Sequence, residues 1–310
     1  MLKSIVASAP GSLMLFGEHS VLRGRESLVA AVEPRITVKL TPVKEKTITV
    51  QSSLGTATTP IHSVSLGENL RFVEKALSLF QRRFSTGAHI LIESKINPSV
   101  GLGSSAAVTV ATLACLLRWL DLSEHPFTLL KKAIQVIKSV QGCGSGADAA
   151  ASILGGVVQY GINPLSAIFL RENLPLTLVY SGKKTPTPEV IAYVKSLERS
   201  FPRVFESIFD SMEQVTLQAS SAICRGNWKR LGKLMDIHNG LQQALLVGTE
   251  ELSSIFWDLK RSKSIYGAKI SGSGLGDSMI GLGTLKPEDP CFRKQIPICV
   301  AREGVLIDEG

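Results

Sequence analysis

The stretch Asn97-Pro98-Ser99-Val100-Gly101-Leu102-Gly103-Ser104-Ser105-Ala106-Ala107 decides how this chain is read. An extended run from Ala88 to Ser94 precedes it, and an apolar segment from Ala106 to Leu120 follows. The order is strand, Gly/Ser loop, helix. It gathers unpaired backbone N–H groups and the positive end of a helix dipole at one point, which favours anions and phosphate above all. Gly101 and Gly103 let a ligand come close to the backbone. Ser104 and Ser105 add hydroxyls suited to capping the helix, contacting phosphate oxygens or ligating Mg²⁺. The loop has no Lys, and its glycines are too close together for a Walker loop. Alone, it reads equally well as a Ser-capped helix after a tight turn.

Composition narrows the choice. The 310 residues are 44% hydrophobic and 19% charged, enough for two globular domains with buried cores. A net charge of +8 suits a polyanionic ligand. Nucleic acid is not expected, because no long Lys/Arg run occurs and only 6% of residues are aromatic. The five cysteines include no CxxC pair, which argues for a reducing compartment without a disulfide frame or zinc site. The histidines are scattered and show no transition-metal spacing. The N-terminal apolar run is short and interrupted by Pro10-Gly11, so it reads as a first strand rather than a signal peptide. No apolar run approaches membrane-span length. A soluble, cytoplasmic protein without a membrane partner is expected.

Three further segments identify a family. They are Ser8-Ala9-Pro10-Gly11-Ser12-Leu13-Met14-Leu15-Phe16-Gly17-Glu18-His19-Ser20-Val21-Leu22, the run from Gly144 to Gly156 (GSGADAAASILGG), and the run from Gly267 to Asp277 (GAKISGSGLGD). With the central loop they resemble, in order and spacing, the motifs of the GHMP kinases. The resemblance runs from about Ser8 to about Leu282. Within the family, Gly17-Glu18-His19-x-Val21 is most similar to the mevalonate kinases, as are the segment from Met235 to Gly248 and the loop from Ser181 to Thr187.

The resemblance implies an α+β, two-domain fold: an N-terminal ribosomal-S5-like domain, placed at residues 1–162, and a C-terminal ferredoxin-like domain, placed at 163–310. The boundary rests on the turn residues Gly161-Ile162-Asn163-Pro164. Between the motifs, alternation predicts strands over Leu28–Thr41, Lys46–Gln51, Leu176–Tyr180 and Ile296–Ile307. Helical spacing predicts helices over Asn69–Arg83, Pro126–Val140, Pro188–Glu198, Ser207–Arg225 and Trp228–Val247. Ser52 to Gly67 is expected to be a loop over the site.

The resemblance also implies the chemistry, which is transfer of the γ-phosphoryl of ATP to the primary hydroxyl of mevalonate, with Mg²⁺. Phosphomevalonate or another small alcohol is the alternative acceptor, and a catalytically silent nucleotide-binding homologue the alternative of another class. Pro98, Gly101, Leu102, Gly103, Ser104, Ser105, Ala106 and Ala107 would cradle the nucleotide, with Ser105 on the metal. Asp148 would be the catalytic aspartate. Glu18, His19, Thr187, Gly272, Ser273 and Gly274 would face the substrate. Two positions depart from the pattern. Ser12 stands where the family carries Lys, and Ile137 where it often carries a Mg²⁺-binding Glu. Lys269, Lys183 or Lys184 would then supply the missing cation, with Lys269 named as the catalytic one. The partner expected is the small-molecule substrate, in a monomer or a homodimer.

Overall fold

A computed structural model of the chain describes residues 3–97 and 100–309. Nine strands form the larger sheet: β1 (Ile5–Phe16), β2 (Ser27–Val43), β3 (Thr47–Ser52), β4 (Gly55–Pro60), β5 (Gly87–Ser94), β6 (Val157–Ile162), β7 (Leu165–Arg171), and, from far along the chain, β12 (Cys299–Val300) and β13 (Leu306–Glu309). Its main path runs β13-β1-β2-β5-β3-β4. The smaller sheet is antiparallel, in the order β11 (Gln295–Ile296), β8 (Leu176–Tyr180), β10 (Ser278–Gly283), β9 (Ile265–Ser271).

Helices α1 (Arg71–Ser78), α2 (Ser104–Trp119), α3 (Pro126–Gln141) and α4 (Ala147–Leu154) form a layer on the larger sheet. As its composition predicts, α2 is apolar nearly all round and buried along its length, between the sheet and its helical neighbours. Helices α5 (Thr187–Ser200), α6 (Pro202–Cys224), α7 (Trp228–Ala244) and α8 (Glu250–Arg261) belong to the second half. In α8, Leu252, Ile255 and Leu259 repeat at helical spacing and pack on Ile270 and Met279 of the small sheet. The sequence reading does not include this helix.

The structure corrects three expectations. Gly161 to Pro164 is not a linker; it is the turn of the β6–β7 hairpin, where Ile162 pairs with Leu165 inside the larger sheet. The second unit therefore starts at β8. It also ends early, because β12 pairs with β2 and β13 with β1, and the expected strand over Ile296–Ile307 is split into three short pieces. The segment from Ser52 to Gly67 carries β4, in a hairpin at the edge of the larger sheet, separated from β1 by β3, β5 and β2. Among the described residues, no helix is long and apolar enough to cross a membrane.

α7 packs closely on β9 within the second unit. Gly232 on α7 and Gly267 on β9 touch backbone to backbone, since a Cβ on Gly267 would lie 1.9 Å from the Gly232 carbonyl oxygen. This close approach lets side chains of α7 satisfy the exposed edge of β9. The Ala268 N–H donates to Asp236 (3.0 Å) and the Ile270 N–H to Asn239 (3.3 Å).

Candidate active site

The phosphate loop docks on the middle of β1. A β-bulge between Pro10 and Gly11 interrupts the pairing with β2. At that point Ser12 N–H donates to the Leu102 carbonyl (3.1 Å), and a Cβ on Gly11 would lie 2.7 Å from the same oxygen. Gly103 is the residue before α2, with a left-handed backbone (φ 63°), and a Cβ there would lie 1.9 Å from Ser12 Oγ. Both conformation and space demand glycine. Ser104 and Ser105 open the helix, half-buried, while Leu102, Ala106 and Ala107 are buried and offer a ligand only their backbone. Pro98 lies outside the described residues.

Beneath Gly103, the Ser12 hydroxyl donates to Asp148 Oδ1 (2.8 Å). Asp148 sits in the first turn of α4, where a carboxylate suits the dipole. It is not the cap, because Ser145 Oγ accepts the Ala147 N–H (3.2 Å) and Gly146 holds the N-cap in the left-handed region. The carboxyl of Asp148 therefore points across to β1. Burial pushes it above the usual carboxylate range, and the Ser12 hydrogen bond pulls it back.

Across the site, the turn Gly17-Glu18-His19 is gripped by the second half of the chain, residue by residue. Gly17 N–H donates to His238 Nε2 on α7 (3.1 Å). Glu18 is paired with Lys269 of β9 at 2.5 Å. His19 Nε2 donates to the Ser273 carbonyl (2.8 Å). Burial drives His238 well below the usual histidine range, and the charge of Lys269 adds to that. It is therefore neutral, with its proton on Nδ1, because Nε2 accepts from Gly17. Burial also lowers His19 to about 4. Its neighbour Arg23 reaches Glu198 on α5 and stacks 4.6 Å from the Phe209 ring of α6. Glu18 Oε2, His19 Nδ1, His238 Nδ1 and Ser273 Oγ are buried with no hydrogen-bond partner among the described residues. Buried polar atoms left open in this way mark a place for water or a polar ligand.

The geometry separates the three cation candidates. Lys269 is fully buried, and its donors go to Glu18 and the Ile270 carbonyl. Burial works against its charge and Glu18 restores it. This placement differs from the expected one: its pair with Glu18 holds the turn, and among the described residues it makes no hydrogen bond to Ser12 or Asp148. Lys183 pairs with Glu251 at the surface. Lys184 is exposed, and its charge acts on Asp277 at the end of the third glycine loop.

Within that loop, Gly274 backs onto Val247 and Gly272 onto Asp277, both with left-handed backbone. Thr187, expected to face the substrate, is exposed at the start of α5. Thr185 is the threonine that touches the loop, donating to the Leu275 carbonyl (2.6 Å). Pro186 separates the two, and nothing in the sequence distinguishes them. His238, Thr185 and Asp277 are further residues here that the sequence reading did not single out.

No cluster of three or more His, Cys, Asp or Glu with metal-holding geometry occurs among the described residues. Ile137 is buried apolar wall against Gly144 and offers no ligand. The donor set that fits a hard cation is hydroxyl plus carboxylate around the phosphate loop, namely Ser104, Ser105 and Asp277, which suits a Mg²⁺ carried by phosphates rather than a protein-only cage.

Comparison with known proteins identifies the family. A family model described as the GHMP kinases N terminal domain matches residues 71–156, and one described as GHMP kinases C terminal matches residues 219–290. The protein named mevalonate kinase of Pyrococcus furiosus is 31% identical, covering 98% of this chain and 98% of its own length. That of Archaeoglobus fulgidus is 33% identical, covering 98% and 100%. The crystal structure of the Methanococcus jannaschii mevalonate kinase shares the fold, with a TM-score of 0.77 at 24% identity over 96% of this chain and 98% of that one.

Proposed function

This chain belongs to the GHMP kinases and is an ATP-dependent kinase, and we propose that it transfers the γ-phosphoryl group of ATP to the primary hydroxyl of mevalonate, a step of isoprenoid precursor synthesis. One observation carries the chemistry: a carboxylate, Asp148, held by Ser12 directly beneath the glycine that opens the phosphate-loop helix. Bound Mg²⁺–ATP supplies the phosphoryl group and a cation that offsets phosphate charge. The loop from Gly101 and the first turn of α2 hold the phosphates through backbone N–H groups. Asp148 takes the proton of the acceptor hydroxyl. Its raised proton affinity makes it a better base near neutrality than an exposed Asp, and Ser12 fixes which way its carboxylate faces. Glu18 Oε2 and His19 Nδ1, both acceptors without a partner among the described residues, suit the hydroxyl groups of a hydroxy acid.

The choice of mevalonate is supported by relatives of that name that match nearly the whole of both chains. A sister kinase acting on a phosphorylated alcohol is the second reading, favoured by Lys183 and Lys184 beside the third glycine loop. A coupled ADP-release assay over mevalonate, phosphomevalonate, homoserine and galactose separates the two, with mevalonate expected to give the highest kcat/KM. In the same assay Asp148→Asn should lose about 10²–10⁴-fold in kcat while still binding ATP. The wild-type rate should fall in acid as Asp148 protonates, at a pH above the usual carboxylate range. Preference for phosphomevalonate would overturn the acceptor, and near-normal turnover in Asp148→Asn would overturn the base.

A further inference from the structure

Asp277 sits where a carboxylate is hard to explain by packing. It ends the third glycine loop just before β10, 6% exposed and with φ 62°, in the left-handed region. Its backbone is fixed on both sides, the N–H donating to the Lys183 carbonyl (2.8 Å) and the carbonyl accepting the Ser181 N–H (2.9 Å). This clamp aims the side chain between the two glycine loops. A Cβ built on Gly101 of the phosphate loop would lie 2.9 Å from Asp277 Oδ1, and one built on Gly272 would lie 3.3 Å from Oδ2. Oδ1 is buried and has no hydrogen-bond partner among the described residues.

Asp148 also flanks the phosphate loop, yet its Oδ1 accepts from Ser12. Asp277 Oδ1 has no such donor among the described residues, and it faces Gly101 of the loop whose backbone suits polyphosphate. Bare carboxylate and phosphate repel at that separation. A divalent cation between them reverses the sign, and Mg²⁺ is commonly held by one or two carboxylates together with substrate phosphates.

We propose that Asp277 holds the divalent cation that accompanies the nucleotide, reaching it across the phosphate loop from the second half of the chain. The proposal rests on the kinase reading above and adds a ligand to it. It makes the site depend on both halves of the chain, since Ser104 and Ser105 would come from the first half and Asp277 from the second.

Nucleotide binding tests this without turnover. A non-hydrolysable ATP analogue is titrated calorimetrically into the full chain, with Mg²⁺ and with EDTA. The variants are Asp277→Asn, which keeps the shape, and Asp277→Gly, which suits the left-handed backbone and so keeps the fold. Mn²⁺ titrations followed by electron paramagnetic resonance count the bound metal, and thermal melts check folding. In the wild type, Mg²⁺ is expected to tighten binding by about tenfold or more. Both variants should lose most of that preference and bind the metal-free analogue at least as tightly as wild type, because the repulsion is gone. Unchanged preference for Mg²⁺ in folded variants, or equal weakening with and without it, overturns the role of Asp277. Failure of the wild type to bind the analogue under either condition overturns the kinase reading itself.

Discussion

The phosphate loop and the Gly17–His19 turn face each other across the site, yet they are held in opposite ways. Around Gly101 and Gly103 the fixed elements are backbone: a bulged strand, a left-handed glycine and the start of a helix. The turn is fixed by side chains from the other half of the molecule, His238 and Lys269, with the Ser273 carbonyl as third anchor. The difference fits what the proposed reaction asks of each. Phosphate is recognised by repeated N–H groups, which any residue supplies provided the chain can bend closely enough. A small hydroxy acid offers few atoms, so the groups that meet it need individual placement. In the first region, then, tolerance is set by steric space; in the second, by compensation of buried charge.

The largest effect should come from the turn. Lys269→Met leaves Glu18 buried without its partner and should cost about 3–5 kcal/mol in urea denaturation. The double variant with Glu18→Gln should recover most of that loss. A stable single variant with damaged catalysis would instead return Lys269 to the reacting groups.

The next effect is acid sensitivity of the same turn. His19 titrates at about 4 in the folded chain against 6.5 ordinarily. The unfolded chain binds the proton more readily, so stability falls as pH drops through about 6.5 and levels off near about 4. The gap is worth about 3 kcal/mol, and His238 acts in the same direction. The melting temperature of His19→Gln should fall less between neutral and acid pH than that of the wild type. Parallel curves would remove His19 from the account.

On the loop side, Gly103→Val puts a β-branched residue into the left-handed region and its Cβ into Ser12 Oγ. Nucleotide Kd should rise about 100-fold, or about 3 kcal/mol, in a protein whose melt remains cooperative. Retained affinity would show that the loop is not the phosphate site. Ser105→Ala is the smallest change. It should weaken binding of the Mg²⁺-nucleotide by about 1 kcal/mol and the metal-free form by less. Equal effects would leave the hydroxyl no role at the metal.

This contrast also explains what the sequence disclosed. Backbone-built features leave a mark in the local string: Gly101, Gly103 and the apolar α2 that follows read directly as strand, loop and buried helix. Asp148 was named from the family resemblance of the run from Gly144 to Gly156; its Gly-Ser-Gly setting alone reads as a helix cap, and the structure gives that cap to Ser145 and Gly146. Side-chain features leave no such mark, because their partners are more than 200 residues apart. Gly17 meets His238 across 221 positions and Glu18 meets Lys269 across 251. Lys269, a charged residue in a strand, therefore read as a reactive cation, although its surroundings make it half of a buried pair. The Asn163-Pro164 turn misled for a related reason, since a hairpin turn and a linker use the same residues.

The return of β12 and β13 to the first sheet decides how the chain can be divided. The chain enters the smaller sheet from β7 and leaves it into β12, so both ends of that unit are tied to the larger sheet. Ala219, Ile223, Leu231 and Met235 of its helices belong to the same buried cluster as Leu28 and Val158 of the larger sheet. A unit that leaves its neighbour, returns to it and shares its core cannot be cut out as a separate piece, so neither half is expected to fold when expressed alone.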